Sequence, residues 1–517
     1  MIEPVGHSGD LPGFQGTCKA FAGPAKHSRN LQSIRGTCKA FAEPAKHSRN
    51  LPGFHGICRE IYRGIIHMVK DKQFFKNFFT MLLLLMLQNI ITLSVNLADN
   101  IMLGHYSQNS LAGAAAVNQI QFVYQQLLLA FGESAVILGS QYFGKKDMDS
   151  WKKIASVAMR FGLLTAVILF VAVSLFPHAA VSFFTANPAI IEQGTAYIRI
   201  MRFTYIFFAI TQILLATLRS VGIVKIAVLL SLSTLGINCC INYTLIYGNF
   251  GAPALGITGA AIGTLTARIV EVLILLFFIN RNRSRIPLIP DDYRHTDKTL
   301  TSDYIRIMLP ILVVNALWGL NNAAQNAILG HMSVPGSNVL AANSAASNLF
   351  LIVKSAAVGA CSAASFFVGK MIGEGRMKDL KAYARTMQIL FVMIGITAGI
   401  ILYFLRIPIL ALYSLDESTM ALADHFLIIL SVITVTMSYQ MPTNVGIIKG
   451  GGSTKYCMFM DLISIWIIVL PISFYMAFFA GASPETVIWC LNADQIFKCV
   501  PAFIKCNFGT WAHKLTR

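Results

Sequence analysis

At 517 residues, 55% of them hydrophobic and 12% charged, the chain carries about half the roughly 25% charge of a soluble protein, which leaves no room for a soluble domain of any size. Its 41 Lys and Arg against 23 Asp and Glu give a net charge of +18. Such an excess suits a polyanion partner when it is gathered on one surface. Here it is divided among alternate connections between apolar segments, which excludes a nucleic-acid reading.

The chain opens on a 20-residue repeat. Residues 11–30 and 31–50 are near-copies sharing Gly-Thr-Cys-Lys-Ala-Phe-Ala and Pro-Ala-Lys-His-Ser-Arg-Asn, and a third unit starts at Leu51. The units lack the apolar periodicity of a solenoid and hold no apolar core of the signal-peptide kind. Residues 1–67 are therefore read as a disordered or mis-assigned extension, with Met68 as initiator. Twelve apolar stretches follow, near 78–103, 112–140, 156–177, 192–217, 226–248, 255–280, 303–329, 340–369, 384–405, 421–447, 456–479 and 484–504. Each approaches or exceeds the roughly 20 residues that cross a bilayer as a helix. The fold class expected is an all-α integral membrane protein of twelve spans.

Basic residues follow the even-numbered spans. Lys145, Lys146, Lys152 and Lys153 come after the second, and Arg219 and Lys225 after the fourth. Arg281, Arg283, Arg285, Arg294 and Lys298 follow the sixth, Arg376, Lys378, Lys381 and Arg385 the eighth, and Lys449 and Lys455 the tenth. Arg199, Arg202 and Arg406 are the exceptions. By the positive-inside rule both termini are cytoplasmic. Residues 281–302, with Pro287 and Pro290, read as a cytoplasmic linker between a first lobe at 68–280 and a second at 303–505, and 506–517 as a tail. The ten cysteines are scattered, none with metal-ligand spacing.

The two lobes repeat each other. Asn96-Leu-Ala-Asp-Asn-Ile-Met-Leu-Gly-His105 recurs as Asn322-Ala-Ala-Gln-Asn-Ala-Ile-Leu-Gly-His331, and Gln141-Tyr-Phe-Gly144 as Lys370-Met-Ile-Gly373. Leu218-Arg-Ser-Val-Gly-Ile-Val-Lys225 answers Ile448-Lys-Gly-Gly-Gly-Ser-Thr-Lys455. Six spans per repeat return the chain to its starting side, so the repeats are parallel, related by an axis along the membrane normal. That arrangement belongs to secondary transporters, with a path between the lobes.

Ionisable residues within spans are costly and are candidate functional sites. Asp99 lies about 7 Å from the outer end of the first span at ~1.5 Å per residue. Asn238 and Asn242, four apart on one face of the fifth span, and Thr264 in the sixth fall at a similar depth. A carboxylate with amide and hydroxyl oxygens suits a proton or a small hard cation; interhelical hydrogen bonding is the alternative. Glu133 lies nearer the cytoplasm, lining the inner path or pairing with a basic residue. Lys354, midway along the eighth span, faces substrate or forms a structural ion pair. Gln325 stands where the second lobe repeats Asp99. Arg268 and Glu271, three apart, are expected to pair, and Asp461 and Asp494 to serve packing or gating.

From Met68 onward the chain resembles bacterial multidrug and toxic compound extrusion (MATE) transporters. The matching segments are Ala98-Asp-Asn-Ile-Met-Leu-Gly104, Gln141-Tyr-Phe-Gly-Lys-Lys-Asp147, Leu218-Arg-Ser-Val-Gly222 and Leu255-Gly-Ile-Thr-Gly-Ala-Ala-Ile-Gly-Thr264. Lys449-Gly-Gly-Gly-Ser-Thr-Lys455, Asp461…Trp466…Pro471 and Trp511-Ala-His-Lys-Leu-Thr516 complete the series. The resemblance implies two pseudo-symmetric six-helix lobes in a V, alternating access, and export of organic cations or other amphipathic compounds against inward sodium or protons. It places the coupling-ion site on Asp99, Asn238, Asn242 and Thr264, with one carboxylate fewer than members that carry an acid at the Asn242 position. Glu133, Lys354 and Gln325 are left as a candidate substrate path. It further implies a monomer in a bacterial inner membrane that takes a small-molecule substrate and uses no cofactor beyond the coupling ion. A flippase for lipid-linked saccharides is the related alternative, with Lys354 as its hint. The loop after the second span lacks the Asp-Arg-x-Gly-Arg pattern of major-facilitator carriers. No metal-binding helix motif, nucleophile elbow or phosphate loop points to an enzyme.

Overall fold

The structure, a computed structural model, describes residues 68–283, 297–332, 338–411 and 416–516. The repeat-bearing extension over 1–67 and most of the inter-lobe linker lie outside the described residues. Among the described residues eleven helices are long and apolar enough to cross a bilayer, and a bent pair taken as one broken span makes a twelfth. The first lobe holds α1 (Lys72–Tyr106), α2 (Gln108–Gly144), α3 (Met148–Leu175), α4 (Pro188–Met201 with Thr204–Arg219), α5 (Lys225–Tyr247) and α6 (Ile257–Arg281). The second holds α7 (Lys298–Gly330), α8 (Val339–Gly373), α9 (Met377–Leu410), α10 (Glu417–Ile448), α11 (Thr454–Phe478) and α12 (Pro484–Asn507). Among the described residues the only β-type pairing is the isolated bridge Gly452–Ala512.

Short polar side chains start the helices by accepting from their unpaired first-turn amides. Asp71 caps α1, Ser107 α2, Asp147 α3, Asp297 α7 and Asn338 α8. Asp71 also accepts a 2.9 Å bond from the Tyr383 hydroxyl of α9. The Phe74 amide, with help from Tyr383, holds its carboxyl below the usual range. The fourth span differs from the continuous helix expected over 192–217: it bends by 55° between Met201 and Thr204. At the break the Arg202 guanidinium lies 5.0 Å from the Phe203 ring and 5.8 Å from that of Phe170. In α10 and α11 the turns widen to π-type spacing over Pro442–Ile448 and Leu462–Val469. Pro442 and Pro471, which have no amide hydrogen to donate, lie within or just beyond these stretches.

Two glycines carry the pseudo-symmetry into the packing. A methyl group on Gly144 would strike the Lys370 backbone, and one on Gly373 would strike that of Gln141. Gly144 and Gly373 are repeat partners, as are Gln141 and Lys370, so α2 and α8 meet across the two-fold axis in a reciprocal contact.

The cores interlock at the end of the bundle that carries the basic loops. Phe74, Phe78, Met81, Leu82 and Leu85 of α1 pack into the core of α8 and α9. In return Leu300, Tyr304, Ile307, Met308 and Ile311 of α7 join the core of the first lobe. Tyr304 donates to the Phe131 carbonyl at 2.8 Å and stacks on Phe161. The tail closes the same end. Trp511 is buried in the second lobe, His513 bonds the Gly451 carbonyl, and Gln141 of α2 clasps the backbone of His513 and Leu515. The described hydrogen bonds between lobes run from this basic end to mid-depth, where Asn315 reaches the Gln126 carbonyl.

Gly373→Leu is expected to wedge α2 from α8 at an overpacking cost of about 1–3 kcal/mol, seen as a lower midpoint of thermal unfolding in detergent. Gly236→Ala, at a site with open space beside it, is expected to leave that midpoint unchanged.

Candidate functional site

Near the end opposite the basic loops, three helices bring together the four residues singled out in the first lobe. Asn238 and Asn242 lie one turn apart on α5, both fully buried, with the Asn242 amide donating to the Asn238 oxygen at 3.2 Å. The same Asn242 amide donates to Asp99 Oδ1 of α1 at 2.6 Å. The Asn238 amide reaches Thr264 Oγ1 of α6 at 3.3 Å. Small residues make this convergence possible: at Gly259 a side chain would strike the backbone at Leu245, and at Gly263 it would strike Asn242 Oδ1. Close approach of helices through such residues is how bundles pack in lipid. Asn242 Oδ1 is buried and has no hydrogen-bond partner.

The chemistry available is that of oxygen donors around one formal negative charge. Asp99, Asn238, Asn242 and Thr264 supply carboxylate, amide and hydroxyl oxygens, the types a hard monovalent cation takes, while Asp99 alone can take a proton. Tyr197, on the first segment of α4 and fully buried, lies near Thr264 and close enough to Asp99 to feel its charge. The sequence reading missed Tyr197. Its signal was weak, because a tyrosine on a broken span resembles ordinary core. Among the described residues no group of three His, Cys, Asp or Glu side chains forms a transition-metal site.

The second lobe does not repeat this site. Gln325 takes the Asp99 position and donates at 3.4 Å to Asn321 on its own helix. The charges of that lobe gather elsewhere. Lys498 bonds Asp461 at 2.7 Å and Asp494 at 3.0 Å, and Gln495 bonds Asp494 at 2.8 Å. Asp461 and Asp494 are thus partners of a buried lysine, one the Asp494–Lys498 spacing of four could have disclosed. In the first lobe Arg268 pairs with Glu271 at 2.7 Å, as their spacing predicts, and Thr234 donates to the same carboxyl.

Glu133 is not near the Asp99 cluster. It bonds Lys449 at 2.7 Å, joining α2 of the first lobe to the end of α10 in the second. Arg219, at the end of α4, is close enough to Glu133 for the charges to interact. Arg219 and Lys449 are repeat partners, and of the two it is Lys449 that forms the ion pair with Glu133. Lys354 lies at mid-depth with its ammonium 5.0 Å from the Trp318 ring.

Apolar spans in two related lobes, with a polar cluster enclosed in only one of them, are the architecture of a polytopic membrane transporter. The family model MatE matches residues 85–244 and 300–475. The chain belongs to this family, the multidrug and toxic compound extrusion transporters. It is similar to a probable multidrug resistance protein NorM of Thermotoga maritima, 24% identical over 436 residues, covering 83% of this chain and 92% of that protein. It is also similar to the uncharacterized transporter YisQ of Bacillus subtilis, 22% identical over 428 residues, covering 81% and 90%. Among solved structures, MATE in complex with MaL6 superposes with a TM-score of 0.76 at 16% identity, covering 83% of this chain and 95% of that one. A MOP superfamily transporter from Pyrococcus furiosus, described as having a binding pocket of reverse polarity, gives 0.76 at 16%, covering 85% and 97%.

The charge arrangement at the lobe junction yields an asymmetric expectation. Glu133→Gln strands the Lys449 ammonium, whose side chain is 10% exposed, whereas Lys449→Met strands Glu133, which is 26% exposed and better able to reach water. Stranding a buried charge costs about 3–5 kcal/mol. Glu133→Gln is therefore expected to lower the thermal midpoint more than Lys449→Met, and adding Lys449→Met to Glu133→Gln to recover some of the loss, as a double-mutant cycle measures.

Proposed function

We propose that this protein exports amphipathic organic compounds, organic cations among them, from a bacterial cytoplasm by alternating access, driven by sodium or protons entering through a site made of Asp99, Asn238, Asn242 and Thr264. The observation that carries this reading is the buried cluster itself: one carboxylate, and one amide oxygen, Asn242 Oδ1, with no partner. Rotation of the Asn242 amide brings that oxygen toward Asp99 in exchange for the N–H bond, so a bound sodium ion gains a ligand. A proton on Asp99 removes the same bond's charge assistance. Either event changes what α1 holds against α5.

The alternation of basic loops supports placing the joined end of the bundle in the cytoplasm, with both termini there and the protein in the inner membrane. The lobes then diverge toward the outside, and the Glu133–Lys449 bridge is the contact that breaks when access reverses. One positive charge entering down 100 mV supplies about 2.3 kcal/mol, enough to sustain a roughly fifty-fold gradient at about 1.4 kcal/mol per decade. A monomer suffices, since both lobes lie in one chain, and no cofactor is required beyond the coupling ion. The multidrug resistance names of several relatives support the substrate class. Lys354, at mid-depth beside Trp318, favours a second reading, a flippase for lipid-linked saccharides, which restoration of a glycan-export defect without drug efflux would support.

In vesicles with sodium and proton gradients imposed separately, the protein is expected to move a cationic dye against its gradient with at least one of them. Asp99→Asn, inserted at wild-type level, is expected to abolish that coupled movement. Undiminished coupled transport in the variant contradicts the assignment.

A further inference from the structure

At mid-depth the two lobes face each other through aromatic rings. Phe122 of α2 and Trp318 of α7 lie 6.0 Å apart, ring centre to ring centre. The Lys354 ammonium of α8 sits 5.0 Å from the Trp318 ring. The carboxylates of this region are committed to other cations: Asp494 and Asp461 to Lys498, and Glu133 to Lys449. Among the described ion pairs none includes Lys354. The indole face provides some of what a desolvated ammonium lacks, since a cation over tryptophan is attracted to the ring's negative face. It provides no counter-charge, and a lysine near the bilayer centre requires a partner or a wet cavity. Lys354 thus combines a half-buried positive charge with two aromatic walls, one from each lobe.

We propose that Lys354, Trp318 and Phe122 form the substrate-recognition site, and that the favoured substrate is a small aromatic compound bearing an anionic group, an organic anion or a zwitterion. The anionic group pairs with the Lys354 ammonium, and the ring system lies against Trp318 and Phe122. This inference rests on the export reading above and narrows it from amphipathic compounds at large. It also divides the work by charge. The first lobe holds at Asp99 a carboxylate with no cation at ion-pair distance, and the second presents at Lys354 an ammonium with no carboxylate at ion-pair distance. An anion leaving and a cation entering both move positive charge inward, so the membrane potential drives the two steps together.

The test uses the full chain in vesicles and two xanthene dyes of opposite charge, fluorescein and rhodamine 6G. Wild-type protein transports fluorescein, and Lys354→Met lowers the ratio of fluorescein to rhodamine 6G flux about tenfold or more, while Lys354→Arg restores most of it. A merely structural lysine lowers both fluxes and leaves their ratio alone. Asp99→Asn lowers both fluxes without moving the ratio, so failure of the coupling reading shows as surviving flux in that variant and failure of the present one as an unmoved ratio in Lys354→Met. If Lys354→Met does not insert, fluorescein quenching of tryptophan emission carries the test, and Trp318→Phe must reduce it. A ratio close to wild type in Lys354→Met, no fluorescein flux in the wild type, or quenching that survives Trp318→Phe overturns the proposal.

Discussion

A carboxylate placed in an apolar lobe is the constraint around which the first half of this protein is built. An acid at depth in a bilayer costs about 2.5–3.5 kcal/mol on insertion scales, and Asp99 has no cation bonded to it to offset this. Its close partner is the neutral amide of Asn242, 2.6 Å away. Glycines at 259 and 263 bring α6 close to α5 at the level where these side chains meet. A neutral cradle leaves the carboxylate's charge without an ion pair, which is the property the proposed coupling site requires. The contrast lies one helical stretch away. Glu271, more deeply buried than Asp99, is closed off by Arg268 and Thr234, an arrangement suited to holding helices together.

The same logic separates the two lobes. Their frames are symmetric down to the reciprocal contacts of Gly144 and Gly373, yet their charges are not. The second lobe replaces Asp99 with Gln325 and ties its own acids to Lys498. At the junction, symmetry supplies two equivalent cations, Arg219 and Lys449, but α2 alone supplies a carboxylate, Glu133. The one ion pair at the junction, Glu133 with Lys449, therefore runs between the lobes and is not duplicated by symmetry. The interlocked cores set the scale of that motion. Because α1 reaches into the second core and α7 into the first, opening the basic end has to slide these helices past their neighbours; simple separation of facing surfaces is not enough.

Much of this was legible in the sequence. Span number, the repeat, and the grouping of Asp99, Asn238, Asn242 and Thr264 follow from local quantities: apolar length, offset, and depth along a helix. What escaped the reading depends on distant segments. Lys449 lies 316 residues from Glu133, and no spacing in the sequence links the two. The bend in α4 leaves no proline or glycine at Arg202–Phe203 to announce it. The exchange of α1 and α7 between cores is invisible because both halves of each helix are equally apolar. Tyr197 and Lys498 are residue types whose roles are decided by neighbours rather than by spacing alone.

The central claim is that the mobile ion engages one site, in the first lobe, at Asp99. Currents from reconstituted protein on a solid-supported membrane, evoked by a sodium jump and separately by an acid jump without substrate, test it most directly. The account predicts a transient inward movement of positive charge with at least one of the two ions, and its loss in Asp99→Asn at equal protein density. A transient of wild-type size in that variant would contradict it.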